Sequence, residues 1–209
     1  MPLIDTTTEE VLSSLSGKHI AIVANSPVIL EQRNGGRIDT ADMVIRMNGA
    51  TPCRFPERIP AIGARTDILT CGIIQPYAEV LKEIPPRFWW MKVTENGAKK
   101  RRHLFKWMRD TEQESTLWQW PDDREKRIRD AIGVPGSSGI RIIDTCVEAG
   151  AANIEVYGMT FWNGGTEQSW YSKMPIHESH DAAKEYDYFE KAYRFNPGVM
   201  AGRWSWTAK

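Results

Sequence analysis

Asn25 and Ser26 follow an apolar run at residues 19–24, and Asn48 closes a second run at residues 43–47. An Asn amide offers both donors and acceptors, so it suits a ribose hydroxyl or a phosphate oxygen. The same residues also build Asx turns and helix caps. Further on, Gly136, Ser137, Ser138 and Gly139 precede a helical pattern of Ile140, Ile143 and Val147. Unpaired amides and the dipole at such a helix start favour a carboxylate or phosphate, and two hydroxyls add donors. A capped helix behind a turn, with Ser138 as the cap, uses the same residues without a ligand. No Gly-Lys-Ser or Gly-Lys-Thr follows, and no Gly-x-Gly-x-x-Gly follows the first run. Ordinary nucleotide-triphosphate and dinucleotide binding are therefore disfavoured.

His180 is one of four histidines. As a general base it would take the proton of an attacking hydroxyl, a role worth about 10² to 10⁴ in rate. A solvated histidine at a helix start is the alternative. His177 and His180 are three apart, as metal ligands on a helix can be, but the spacing fixes no third ligand, so no metal is expected. Glu185 lies five residues beyond His180. Helical neighbours lie three or four apart, so Glu185 need not touch the imidazole directly and could cap or orient local backbone instead.

These residues need a frame. The patterns predict strands at 19–24, 43–47, 67–71, 88–93 and 154–157, and helices at 8–15, 75–83, 98–109, 121–131, 138–149 and 181–195. Alternating strands and helices indicate an α/β sandwich around a mostly parallel central sheet, where ligands sit at the carboxyl ends of strands. The stretch from 163 to 179 has no periodicity and reads as a long loop of the active-site lid kind. The chain has 209 residues with 41% hydrophobic content and a net charge of +0, which suits one globular domain. No global field draws it to nucleic acid. The three cysteines, Cys53, Cys71 and Cys146, have no paired spacing, which fits a reducing compartment. No signal peptide or spanning segment is expected. The basic run at 99–109 suits either a solvated helix face or an anionic glycan or membrane surface. Trp89, Trp90, Trp118 and Trp120 suit the core or sugar stacking.

In their order these pieces resemble the sialyltransferase family and its large, small and very small sialylmotifs. Asn25-Ser26, Ile38-Asp39, Asp42, Val44, Arg46, Asn48 and Gly63-Ala64-Arg65-Thr66 match the large motif. Ser137-Ser138-Gly139 and Tyr157-Gly158 match the small one, and His180 with Glu185 matches His-x4-Glu. The similarity runs over about residues 19 to 186.

The resemblance implies a single-domain, GT-A-like, Rossmann-type fold over residues 1–209, with its motif-bearing core at about 19–195. It implies inverting, metal-independent transfer of sialic acid or Kdo from a CMP-sugar donor to a glycan or glycolipid hydroxyl. No cofactor beyond that donor substrate is implied. Asn25, Ser26 and Asn48 would bind CMP. Ser137, Ser138 and Gly139 would hold the donor sugar with its carboxylate. His180 would be the base, with Glu185 in the same site. The family's third motif is echoed only by Trp170, Tyr171 and Lys173, so the phosphate contact falls to Tyr171, Lys173 or His177. Ile20 and Ala149-Gly150-Ala151 stand where the family has paired cysteines, in keeping with a reducing cytoplasm. The expectation is a cytoplasmic bacterial enzyme acting on surface glycans, peripheral at the inner membrane if 99–109 meets lipid. A non-catalytic CMP-binding module on the same fold is the alternative, and an oxidoreductase lacks its glycine fingerprint.

Overall fold

The computed structural model describes residues 4–49, 51–71, 87–90, 116–161, 167–170, 172–175 and 180–193, with the backbone alone at 4–5, 71, 87–90, 116–117, 167–168 and 172–175. The helices expected at 75–83 and 98–109, and with them the basic run, lie outside these residues, as do the side chains of Trp89 and Trp90.

Among the described residues seven strands form one sheet: β1 (Ile4–Asp5), β2 (His19–Val23), β3 (Met43–Met47), β4 (Ile68–Cys71), β5 (Arg87–Trp90), β6 (Thr116–Gln119) and β7 (Asn153–Tyr157). Their order is β1-β6-β5-β4-β3-β2-β7, and every neighbouring pair is parallel. Parallel strands buried on both faces read as continuous apolar runs, which is why β2, β3 and β7 show in the sequence.

Alternate side chains divide between two layers. Ile20, Ile22, Met43, Ile45 and Ile154 face helices α1 (Thr8–Leu15), α4 (Asp122–Ile132), α5 (Ser138–Glu148) and α6 (Ala182–Tyr193) through Leu15, Ile128, Ile143 and Phe189. Ala21, Val23, Val44 and Tyr157 face Ile29, Ile38 on the short helix α2 (Gly35–Ile38), and Ala61 and Ile62 on α3 (Ile59–Ile62). The expected sandwich is therefore present. Trp118 and Trp120 are fully buried core residues, stacked edge to face at 5.6 Å.

Thr7 caps α1 in a reciprocal capping box with Glu10, an arrangement worth about 1 kcal/mol. The expected loop at 163–179 contains an antiparallel hairpin, β8 (Glu167–Ser169) and β9 (Ser172–Pro175). Its strands are too short and polar to show a two-residue period. Cys53 is an exposed free thiol and Cys146 a buried one. No helix among the described residues is long and apolar enough to cross a membrane.

Candidate active site

The connection from β2 runs to β3 on one side, whereas β7 adds to the other side of β2. Such a reversal opens a crevice at the carboxyl ends of the strands. Val23 pairs with both Arg46 and Tyr157, so Asn25, Asn48 and the segment after β7 leave the sheet side by side.

Much of the motif-like sequence before this edge is scaffold. Arg46 is fully buried. Its Nε donates to Arg65 O at 2.8 Å and Thr66 Oγ1 at 3.0 Å, and its Nη2 donates to Ile62 O at 2.7 Å and Gly63 O at 3.1 Å. Burial pulls the guanidinium pKa down to about 10, against Asp39 and Asp67, which leaves it charged at neutral pH. The Asp39 carboxylate accepts the amides of Ala64 and Arg65 at 2.8 to 3.0 Å. The side chains of Asp39 and Arg46 thus tie down the segment 62–66.

On this base Asn48 turns left-handed, at φ 57°, with its amide on Thr70 O at 2.7 Å. Asn is among the few side chains that accept this backbone region. Ser26 donates its amide to Gly158 O at 2.8 Å, and Thr160 Oγ1 donates to Ser26 Oγ at 3.2 Å. Gly158 sits at φ 64°, and a Cβ there would stand 2.9 Å from Ile29 Cβ. Only glycine lets β7 turn this close to the Asn25-Ser26 segment.

The Ser-rich turn opens α5 as expected, but Ser137 rather than Ser138 is the cap: its Oγ accepts the Ile140 amide at 3.4 Å. The amides of Ser138 and Gly139 have no acceptor among the described residues. Gly139 packs so tightly on Met159 that a Cβ would stand 2.4 Å from Met159 Cε. Helix start and β7 exit therefore share one wall.

Glu185, whose spacing required no contact with His180, makes one. Its side chain is fully buried, and Oε1 lies 3.2 Å from His180 Nδ1 while also accepting the Ser137 amide at 3.1 Å. The helical neighbour rule does not govern the pair, because His180 precedes α6 and Asp181 turns the chain by accepting the Lys184 amide. A carboxylate on Nδ1 selects the tautomer protonated there and leaves the lone pair on Nε2. Glu185 Oε2 is buried without a hydrogen-bond partner among the described residues.

The hairpin meets the same edge. Trp170 donates its amide to Asn25 O at 2.9 Å, and its ring lies edge-on to Phe55 with centroids 4.8 Å apart. Tyr171 and His177 lie outside the described residues, and Lys173 is described only by its backbone in β9. The structure thus joins Asn25, Ser26, Asn48, Ser137, Ser138, Gly139, Trp170, His180 and Glu185 along one edge. Thr160 and Phe55 were missed. Thr160 had a signal, standing three residues beyond β7, whereas nothing local marks Phe55. Among the described residues no cluster of three or more His, Cys, Asp or Glu is placed to hold a metal.

The description "Glycosyltransferase family 29 (sialyltransferase)" matches residues 2–118, more than half of the chain. No curated protein sequence matches it. Among solved structures, a mammalian sialyltransferase superposes with a TM-score of 0.59 at 16% identity, covering 94% of this chain and 78% of that one. The monofunctional α-2,3-sialyltransferase Cst-I from Campylobacter jejuni gives 0.55 at 12% identity, covering 92% and 76%. CstII from Campylobacter jejuni, in complex with the substrate analogue CMP-3FNeuAc, gives 0.51 at 14% identity, covering 85% and 79%. These likenesses establish the GT-A-like fold, and the family match, which includes the large motif, establishes that the chain belongs to glycosyltransferase family 29, the sialyltransferases.

Proposed function

We propose that the chain transfers a keto-sugar acid, sialic acid or Kdo, from CMP to a glycan or glycolipid hydroxyl, with inversion and without a metal. The observation that carries this reading is Glu185 Oε1, which engages His180 Nδ1 and the Ser137 amide together. It ties the one histidine at the described edge to the helix start that suits the donor's carboxylate.

In this mechanism Asn25, Ser26 and Asn48 hold the CMP ribose and phosphate. The Ser138 and Gly139 amides and the Ser137 and Ser138 hydroxyls face the sugar carboxylate. The acceptor hydroxyl gives its proton to His180 Nε2 as its oxygen bonds to the anomeric carbon. The bond from that carbon to the phosphate oxygen breaks, and its electron pair leaves with CMP. Positive charge grows on the sugar ring and negative charge on the phosphate. Fixed donors at the strand ends stabilise the latter without reorganising. Attack opposite to the leaving CMP inverts the anomeric centre.

The whole chain, 1–209, acts in this reading as one glycosyltransferase domain. Trp170 contributes to the donor site, with Tyr171, Lys173 or His177 supplying the phosphate contact. The exposed Cys53 thiol supports a reducing, cytoplasmic setting, and the basic run at 99–109 would serve as a peripheral membrane contact. The test is product configuration, read by NMR of the anomeric linkage formed in the presence of EDTA. An inverted linkage at undiminished rate is expected. Retention, or loss of rate that Mg²⁺ or Mn²⁺ restores, would contradict the proposal.

A further inference from the structure

A second path of contacts joins the two asparagines without passing through the sheet. Arg54 Nη1 donates to Gly49 O at 3.1 Å, next to Asn48. The same guanidinium lies 5.1 Å from the centre of the Phe55 ring. Phe55 meets Trp170 edge-on, at 4.8 Å between centroids and 68° between planes. Trp170 closes the path through its amide on Asn25 O, and its indole packs on the core layer of Ala21, Val23 and Tyr157.

Phe55 is well placed to hold a position. It stands between two 3₁₀ turns, Pro52–Arg54 and Pro56–Arg58, each opened by a proline that fixes the local backbone. The cation over its ring and the edge-on indole both suit the charge distribution of an aromatic ring. Trp170 is the last link, because it follows directly on β8 and precedes β9. What happens at Phe55 therefore reaches the hairpin and the Asn25 turn together.

We infer that Phe55 and Trp170 are a positioning pair for the donor. They dock the β8–β9 hairpin on the turn after β2 and so fix the spacing of Asn25 and Asn48 around CMP. The inference rests on reading that turn as the nucleotide site. Neither ring need touch the reacting atoms.

The test is a double-mutant cycle in the full chain, Phe55→Leu, Trp170→Leu and both, with CMP affinity read by titration calorimetry. Each single change is expected to weaken CMP by about tenfold, and the double change no more than the worse single, since both remove one contact. Phe55→Tyr, which keeps the ring edge, should restore affinity. Additive losses, about a hundredfold in the double variant, or unchanged affinity in the singles would overturn the pair. Hydrogen exchange supplies a readout without ligand. Phe55→Leu should speed exchange of the Trp170 amide by about tenfold while the β2–β3 ladder keeps its protection. If the wild type binds no CMP, the nucleotide reading fails, and this exchange alone decides the docking. An unchanged Trp170 amide would overturn the inference. If Phe55→Leu does not fold, Trp170→Phe is carried through the same two measurements.

Discussion

Glu185 Oε1 stands 3.2 Å from His180 Nδ1 and 3.1 Å from the Ser137 amide, so one buried carboxylate oxygen joins the proposed base to the start of α5. Glu185→Gln keeps an oxygen for either partner but loses the charge that favours an imidazolium during proton transfer. It should lower kcat by at least about tenfold with CMP affinity near wild type. Glu185→Ala removes both contacts and should lower kcat further while also raising the donor KM. Steady-state kinetics with varied donor would separate the two effects.

Asn48 makes a left-handed turn, and in the proposed mechanism its side chain also serves the ligand. Glycine preserves the first and deletes the second. Asn48→Gly is therefore expected to keep its melting temperature close to wild type while CMP affinity falls by about tenfold, the size of one lost hydrogen bond. Unchanged affinity by calorimetry would remove Asn48 from the nucleotide site.

Gly158 is held at φ 64° with Ile29 Cβ and Ala24 O within 2.9 and 3.1 Å of where a Cβ would stand. Gly158→Ala should cost about 1–3 kcal/mol. In a chain of this size that lowers the melting temperature by roughly 3–10 °C. Because Ser26 hangs on Gly158 O, CMP binding should weaken in the same variant. Scanning calorimetry with and without CMP measures both.

Away from the site, Glu155 is a buried carboxylate on β7. Burial alone would raise its pKa, but the Arg37 guanidinium and the Tyr157 hydroxyl together hold it below the usual value. The unfolded group titrates near about 4.3. Its contribution is therefore present above that pH and lost as pH falls through the lower folded value. Glu155→Gln should cost about 1–2 kcal/mol at pH 7, a modest figure because Arg37 is half exposed. The variant should also lose less stability than wild type between pH 5 and 3, as urea midpoints across that range would record.

The parallel core was legible because strands such as Ile20 to Val23 are apolar on both faces. The strand β6 was not, since Thr116 to Gln119 is short and keeps polar residues at both ends. The hairpin at Glu167 to Pro175 was missed for the same reason. At the site, residue types were legible but their partners were not. Helical spacing predicts contacts only within a helix, and His180 lies before one, so its contact with Glu185 was out of reach. Arg46, named only as a match to the large motif, is a buried clamp on the segment 62–66. Phe55 had no local signal, because its significance comes from Trp170, more than a hundred residues away.

Release of CMP tests the central claim most directly. Purified wild type and His180→Ala would each be given CMP-sialic acid and, separately, CMP-Kdo, with and without a bacterial glycolipid acceptor. The account predicts release from one donor that rises with acceptor in the wild type. In His180→Ala that release falls by about 10²- to 10⁴-fold while CMP binding persists. No release from either donor despite CMP binding, or full activity in His180→Ala, would contradict it.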